Sequence, residues 1–354
     1  MLRRLLLHAV LVVSSLAAAS SASTDGVKAL LQEGFDLTAE RVAALEAQLK
    51  DDPLDMSART RLLGYYGKRL RHRDPSAEAR WRSLVLWLIH NEPKSEVLAT
   101  IPSPLHEFNR SLVPEQFVEG KEAFLAHLEK EPNDLTLLRH AVDFVTGRDE
   151  QLAVELLERA KSVDSSNPSW AIGLAFVHFN DYKRNRRVLG ELNVEAARKA
   201  LIEFDRAFEV ADEPGGGGFL QLAAEVAVVA NETDKAREYA DLMLNTDPRD
   251  SRHYGDHVHH GNITLGKIAL AQGDVDGAAS YLLIAASTPG SQRLRGMGPD
   301  TTLAKELLEK GERESVLQYF DECARFWERG RDQLKQWAIV VRGGGIPNSR
   351  DFGR

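Results

Sequence analysis

One packing pattern recurs along the chain and constrains the fold more than any other feature. In most copies a small residue is followed by a large one four positions later and by another small one three positions after that. Because small residues let two helices approach and the large residue fills the groove between them, the pattern is typical of the second helix of a helix-turn-helix hairpin. Five segments fit it: Ala153-Leu157-Ala160, Ala200-Phe204-Ala207, Ala236-Ala240-Met243, Ala278-Leu282-Ala285 and Val316-Phe320-Cys323.

The helix ends recur as well. Amphipathic runs stop at an acidic residue or asparagine before a proline, in the segments LEAQLKDDP, LWLIHNEP, LAHLEKEP and LMLNTDP. The packing segments begin 47, 36, 42 and 38 residues apart, and strand signals are nearly absent. We therefore predict an all-α chain of degenerate helix-turn-helix repeats, stacked as an α-solenoid.

The most complete copy begins at Thr264 and reads TLGKIALAQGDVDGAASYLLIAAS. Leu265 and Gly266 lie in its first helix, and Gly273 lies at its turn. This unit resembles the tetratricopeptide repeat, a 34-residue helix-turn-helix. The resemblance implies about five to six degenerate repeats with a groove that binds protein or peptide segments, in some cases through basic side chains that clamp acidic C-termini.

The C-terminal third also resembles a group of exported bacterial tetratricopeptide proteins to which no activity is assigned. The shared residues are LAKELLEKGERESVLQYF from Leu303, then Cys323 and Phe326-Trp327, with His259-His260-Gly261 before the Leu-Gly helix. Related chains tend to read SPQLNSFGPNM where this one reads SQRLRGMGPDT, from Ser291 to Thr301. A function shared through that loop is therefore in doubt for this chain.

The N-terminus has the layout of a secretory signal peptide, with two arginines, an apolar run and small residues up to Ala22. We predict cleavage near Ala22 and export to the periplasm or beyond, with a retained membrane anchor as the alternative. The predicted domains are a signal peptide at 1–22, an N-terminal helical repeat region at 23–100, a repeat array at 101–328, and a capping helix with a flexible tail at 329–354.

Composition limits the partners and the redox chemistry. The net charge of −8 disfavours nucleic acid and anionic membrane surfaces, which would repel the average surface. Nothing after the signal peptide is apolar for long enough to span a membrane, so no stable insertion is expected after cleavage. Cys323 is the only cysteine, and its place in the repeat pattern predicts that it packs in the core.

The stretch RHYGDHVHHG, from Arg252 to Gly261, holds four of the 11 histidines. If it is helical throughout, His253, His257 and His260 share one face with Asp256, and three imidazoles with a carboxylate suit zinc. Gly255 and Gly261 argue against a continuous helix. Packing at the start of a helix near His259 is the favoured interpretation, and a ligand contact by His257, His259 and His260 remains open, since insertions in solenoids often line the binding face.

Arginine is concentrated in two other insertions. YKRNRR contains Arg184, Arg186 and Arg187, and RLR contains Arg293 and Arg295. Such clusters grip carboxylates through paired hydrogen bonds, although exposed charge runs are also common on helical surfaces.

The sequence contains no recognisable catalytic constellation and indicates no cofactor. We therefore predict a protein- or peptide-binding repeat scaffold of the cell envelope, without catalysis. Its candidate ligand-binding residues are Arg184, Arg186, Arg187, His257, His259, His260, Arg293 and Arg295. The alternative is a metal-dependent activity, or metal binding, centred on His253 to His260.

Overall fold

A computed structural model of the chain describes residues 21–70, 74–101, 104–189, 193–211, 218–246, 253–348 and 352–353. Within these residues the chain forms nineteen α-helices, one short 3₁₀ turn and no strand, so the prediction of an all-α fold is confirmed. Most of the predicted signal peptide, residues 1–20, lies outside the described part. No described helix is both long and apolar enough to cross a membrane.

The chain divides into two compact units, residues 1–177 and 178–354, so the predicted boundary near residue 101 falls inside the first. The helices of the first unit pack partly against the next helix in sequence and partly against a helix two or more positions further along. They are α1 Ser21–Phe35, α2 Ala39–Asp51, α3 Met56–Leu70, α4 Pro75–Asn91, α5 Glu96–Thr100, α6 Leu105–Ser111, α7 Pro114–Lys130, α8 Leu135–Val145 and α9 Glu150–Val163, followed by α10 Pro168–Leu189, within which the division falls.

The second unit continues from α10. In it each helix packs against the next one in sequence: α11 on α12, α12 on α13, α13 on α14 and α14 on α15. Beyond α15 the short α16 intervenes, and α15 packs on α17 and α18. The helices are α11 Val194–Val210, α12 Leu220–Val229, α13 Thr233–Leu244, α14 Tyr254–Ala271, α15 Val275–Ala286, α16 Gln292–Met297, α17 Thr302–Glu309, α18 Glu314–Cys323 and α19 Arg331–Arg342.

The helix ends that the sequence predicted lie within a few residues of the observed ones. Helices α2, α4 and α7 stop at Asp51, Asn91 and Lys130, each just before the acidic residue and proline. The next helix often opens on a capping side chain: Asp134, for example, accepts hydrogen bonds from the backbone N–H groups of Thr136 and Leu137 at the start of α8. Local stop and start signals therefore place the hairpins.

The recurring packing pattern corresponds to the buried face of five helices. All fifteen of its residues are at most 1% exposed, and they lie on α9, α11, α13, α15 and α18. Cys323 is among them, which confirms its packing role, and burial raises the pKa of its thiol above the ordinary value. The repeat-like architecture of these five helices thus depends on the same buried pattern of small and large residues.

A pair of neighbouring residues on α15 tests this contact. Ala285 is fully buried, whereas Ile284 is 47% exposed. Ala285→Phe should overpack the contact and lower the free energy of unfolding by about 1–3 kcal/mol. Ile284→Phe, a change to the same side chain one position away, should stay within about 0.5 kcal/mol. Urea denaturation of both variants measures the difference, and equal stabilities would show that the packing frame is misplaced.

Candidate functional site

Helix α14 carries the histidine-rich stretch, and it begins earlier than the sequence suggested. The helix starts at Tyr254, five residues before His259, and runs unbroken through Gly255 and Gly261. The two glycines, which were expected to weaken a continuous helix, lie within one. A Cβ at Gly255 would lie 2.1 Å from the carbonyl oxygen of Gly290, and one at Gly261 would lie 2.9 Å from Cγ of Leu244. Both glycines are there because neighbouring chain segments approach the helix closely.

The segment that approaches Gly255 is the loop from Thr288 to Thr301, which we call the α15–α17 loop. Its hydroxyl groups attach it to the first turn of α14: Thr288 Oγ1 donates to the carbonyl oxygen of Gly255 at 2.6 Å, and Ser291 Oγ donates to Oδ1 of Asp256 at 2.8 Å. Asp256 is only 6% exposed, so this hydroxyl partly satisfies a buried carboxylate. The loop is therefore held against the imidazole-bearing helix.

His259 is fully buried, and its hydrogen bonds fix its protonation state. Its Nδ1 lies 2.9 Å from the carbonyl oxygen of Ala285, which only accepts, and its Nε2 lies 2.9 Å from the backbone N–H of Asp300, which only donates. The ring is therefore neutral, with its proton on Nδ1. Burial lowers the pKa of His259 below the ordinary value, against weaker opposing effects of the Ala285 carbonyl, Asp300 and Asp256.

Aromatic rings surround His259 on its other sides. The centroid of the Tyr319 ring lies 6.4 Å away with the planes nearly parallel, and the Phe326 ring lies 6.2 Å away, edge to face. The Tyr319 hydroxyl donates to the carbonyl oxygen of Asp300 at 2.6 Å, so Asp300 is fixed through both its backbone groups. His259 is a positioning residue that joins α14, α15 and the α15–α17 loop.

His260 lies beside His259 and remains partly open to solvent. Its side chain is 17% exposed, and its Nδ1 is 3.9 Å from Oδ2 of Asp300, whose side chain is 24% exposed. The other oxygen of Asp300 accepts hydrogen bonds from the N–H and the hydroxyl of Thr302. Oδ2 of Asp300 and the ring of His260 are thus accessible polar groups without a short hydrogen bond among the described residues.

Two cations act on this pair. Arg293 lies close enough for its charge, after burial and the neighbouring His259 ring, to lower the pKa of His260. Burial raises the pKa of Asp300, but the charge of Lys267, the neighbouring His260 ring and the hydrogen bonds from Thr302 outweigh it and hold that pKa below the ordinary value. At neutral pH His260 is therefore uncharged beside an ionised Asp300. We call His260, Asp300, Arg293 and Lys267 the His260 site.

Arg293 and Arg295 differ although both lie on α16. Arg293 is half-buried and belongs to the His260 site, whereas Arg295 is exposed. Neither guanidinium has a carboxylate within 4 Å among the described residues. Arg184 is exposed on α10, and the side chains of Arg186 and Arg187 lie outside the described part. Of the predicted arginines whose side chains the structure describes, Arg293 is the one that acts on the histidines.

His257 lies one turn before His260 on α14 and has different polar contacts. Its Nδ1 is 3.0 Å from Oγ1 of Thr246, and its Nε2 is buried without a hydrogen-bond partner in the described chain. Its ring stacks on His253, with 6.0 Å between centroids. Burial and the neighbouring His253 lower the pKa of His257. The continuous helix keeps His257 and His260 on one face, as predicted, but their polar contacts differ: His257 approaches Thr246 and His260 approaches Asp300.

The described residues offer no group of three or more histidine, cysteine, aspartate or glutamate side chains placed to hold a metal ion. The metal interpretation therefore rests on the sequence alone. Sequence reasoning missed Asp300, Ser291, Thr288 and Tyr319, which complete the arrangement. The one available signal was that the first three fall in or next to the loop where the sequence departs from its resemblance.

Comparison with known proteins adds no assignment: no protein-family model matches the chain, and no curated protein is significantly similar to it.

Proposed function

We propose that this chain is an exported repeat scaffold of the tetratricopeptide type, which binds a protein or peptide segment at the His260 site. Repeated helix pairs stack into arrays whose first helices form a long binding surface. In this proposal α12, α14 and α17 supply such first helices, because each precedes a helix that carries the buried packing pattern. The predicted signal peptide supports a place in the cell envelope or outside the cell.

The observation that carries the proposal is Arg293, a half-buried arginine without an ion-pair partner among the described residues. It lies close enough to His260 to lower the pKa of that ring, which is uncharged at neutral pH. A carboxylate on a bound segment would give Arg293 the paired hydrogen bonds that guanidinium groups favour. His260 would add an N–H donor, while Asp300 would accept from a backbone or side-chain donor of the same segment.

The mixture of charges makes the site selective. Lys267 is already close to Glu306, with 3.8 Å between Nζ and Oε1, so Arg293 is the cation with its charge still to be matched. A wholly acidic partner would be repelled by Asp300 and Asp256. The preferred segment therefore presents one carboxylate next to hydrogen-bond donors, as an acidic residue within a peptide backbone does.

Capture experiments with two arginine variants test the proposal. Mature wild-type protein, Arg293→Ala and Arg295→Ala are each coupled to beads and incubated with envelope extract, and bound proteins are quantified by mass spectrometry. A genuine partner should be reduced at least tenfold with Arg293→Ala, because a lost charge-assisted pair is worth about 1.5–3 kcal/mol. It should bind Arg295→Ala like the wild type. Equal capture by all three proteins would contradict the proposal.

A further inference from the structure

The end of the chain, predicted as a flexible tail, returns to the last helices. Phe352 is only 5% exposed. Its ring centroid lies 5.2 Å from that of Trp337 on α19 and 6.0 Å from that of Phe320 on α18, where the rings meet edge to face. A phenylalanine near a chain terminus thus inserts between aromatic rings of the core of the second unit.

Gly353, the next residue, is also held in place by its contacts. The backbone N–H of Gly353 donates to Oγ1 of Thr301 at 2.8 Å, and Thr301 is 1% exposed. Gly353 has a φ of +76°, and a Cβ there would lie 2.3 Å from Cδ of Lys305. A side chain at this position would be strained in its backbone and would collide with α17. The pocket formed by Thr301, Lys305, Phe320 and Trp337, which we call the tail socket, therefore accepts a Phe-Gly pair.

The tail socket is also connected to the α15–α17 loop. Thr301, which receives the hydrogen bond from Gly353, directly follows Asp300, and Asp300 is held by His259 and Tyr319. Tyr319 in turn precedes Phe320, which contacts Phe352. An occupied socket thus stabilises the turn that presents Asp300.

We propose that the tail socket is a recognition site for a Phe-Gly segment, and that the chain's own C-terminal residues occupy it as a releasable latch. Helix α19 ends at Arg342, and Phe352 contacts Trp337 of that same helix, so a short connection suffices for the tail to reach the socket within one molecule. A short tether gives an effective concentration in the millimolar range, which favours this internal occupant over free peptides. This inference concerns a second surface and stands independently of the binding proposed for the His260 site.

The test uses a fluorescent peptide with the sequence IPNSRDFGR, residues 346–354, and fluorescence anisotropy. Full-length Phe352→Ala, whose socket has lost its occupant, should bind the peptide at least about tenfold more tightly than the wild type, because the wild-type tail competes at its high effective concentration. A control peptide with alanine in place of its phenylalanine should not bind. Absence of binding to Phe352→Ala, or equal binding to both proteins, would overturn the proposal.

A second variant and a second readout guard against loss of folding. Gly353→Val expels the tail through backbone strain and the collision with Lys305, while it leaves Phe352 unchanged, so it should also expose the socket. In both variants the imidazole NMR signals of His259 should shift, because Thr301, the residue after Asp300, loses its hydrogen bond from Gly353. The added peptide should restore these signals. Unchanged His259 signals would contradict the connection to the loop. Dimers formed by the wild type at higher concentration, and lost in Phe352→Ala, would overturn the internal assignment.

Discussion

Replacing Gly255 with alanine is expected to lower the free energy of unfolding by about 2–4 kcal/mol, from overpacking together with one or two lost hydrogen bonds. The new Cβ would lie 2.1 Å from the carbonyl oxygen of Gly290 and 2.6 Å from its carbon, and backbone atoms cannot rotate away. The α15–α17 loop would have to leave the helix, and the bonds from Thr288 and Ser291 would weaken with it. Denaturation in urea, monitored by circular dichroism, measures the loss.

The matched control is Gly296→Ala on α16. No atom lies within 4 Å of a Cβ at Gly296, and alanine is the better helix former by about 1 kcal/mol, so this variant should be unchanged or slightly more stable. The same substitution should thus lower the free energy of unfolding at position 255 and leave it unchanged or slightly higher at position 296. If Gly255→Ala is as stable as Gly296→Ala, the loop does not lie against α14.

Replacing His259 with phenylalanine should cost about 2–6 kcal/mol of unfolding free energy at pH 7.5. The ring shape is nearly kept, but the buried N–H of Asp300 and the carbonyl of Ala285 both lose their partner, at about 1–3 kcal/mol each. His260→Phe is the control, since the closest polar approach of that ring, to Asp300, is 3.9 Å. It should change stability by less than about 1 kcal/mol. Equal losses in the two variants would refute the role given to His259.

A comparison of the wild type with His259→Phe also tests the protonation state of His259. The pKa of His259 is lower in the folded chain than in the unfolded one, so its contribution to stability is complete at high pH. That contribution declines as the pH falls below about 6.5, because the unfolded chain then binds a proton that the folded chain does not bind. Between pH 7.5 and 5.5 this loss is at most about 1.4 kcal/mol, the limit for a group of ordinary pKa near 6.5 that stays unprotonated in the fold. His259→Phe should lack that part of the wild-type decline. An identical pH dependence would show that the pKa of His259 does not differ between the folded and the unfolded chain.

Much of the fold follows from local signals that the sequence displays openly. The acidic-Pro ends of α2, α4 and α7 need no partner to be recognised, because proline cannot continue a helix and the residue before it avoids the helical conformation. The buried faces of α9, α11, α13, α15 and α18 follow from residue size at a fixed spacing, which depends only on the contact inside one hairpin.

The His260 site depends on contacts between residues far apart in the chain, and for that reason it was predicted only in part. His259, His260 and Arg293 were recognised as candidates by residue type. Asp300 reaches them only because the α15–α17 loop folds back over Gly255. From the sequence alone, a glycine inside a helix indicates only a weaker helix, because the carbonyl group that approaches it is not yet known. The tail was missed for the same reason, since its socket is assembled from α17, α18 and α19.

Site-specific photocrosslinking in cells that produce the protein tests the central claim, that a partner binds at the His260 site, most directly. A photoreactive residue is placed at Met297, which is 43% exposed on α16, or at Ile202, which is 52% exposed on α11. We expect a discrete crosslinked partner from position 297, and we expect that adduct to disappear when Arg293→Ala is added. Position 202 should give no crosslinked partner. The same adduct from both positions, or an adduct at 297 that survives Arg293→Ala, would contradict it.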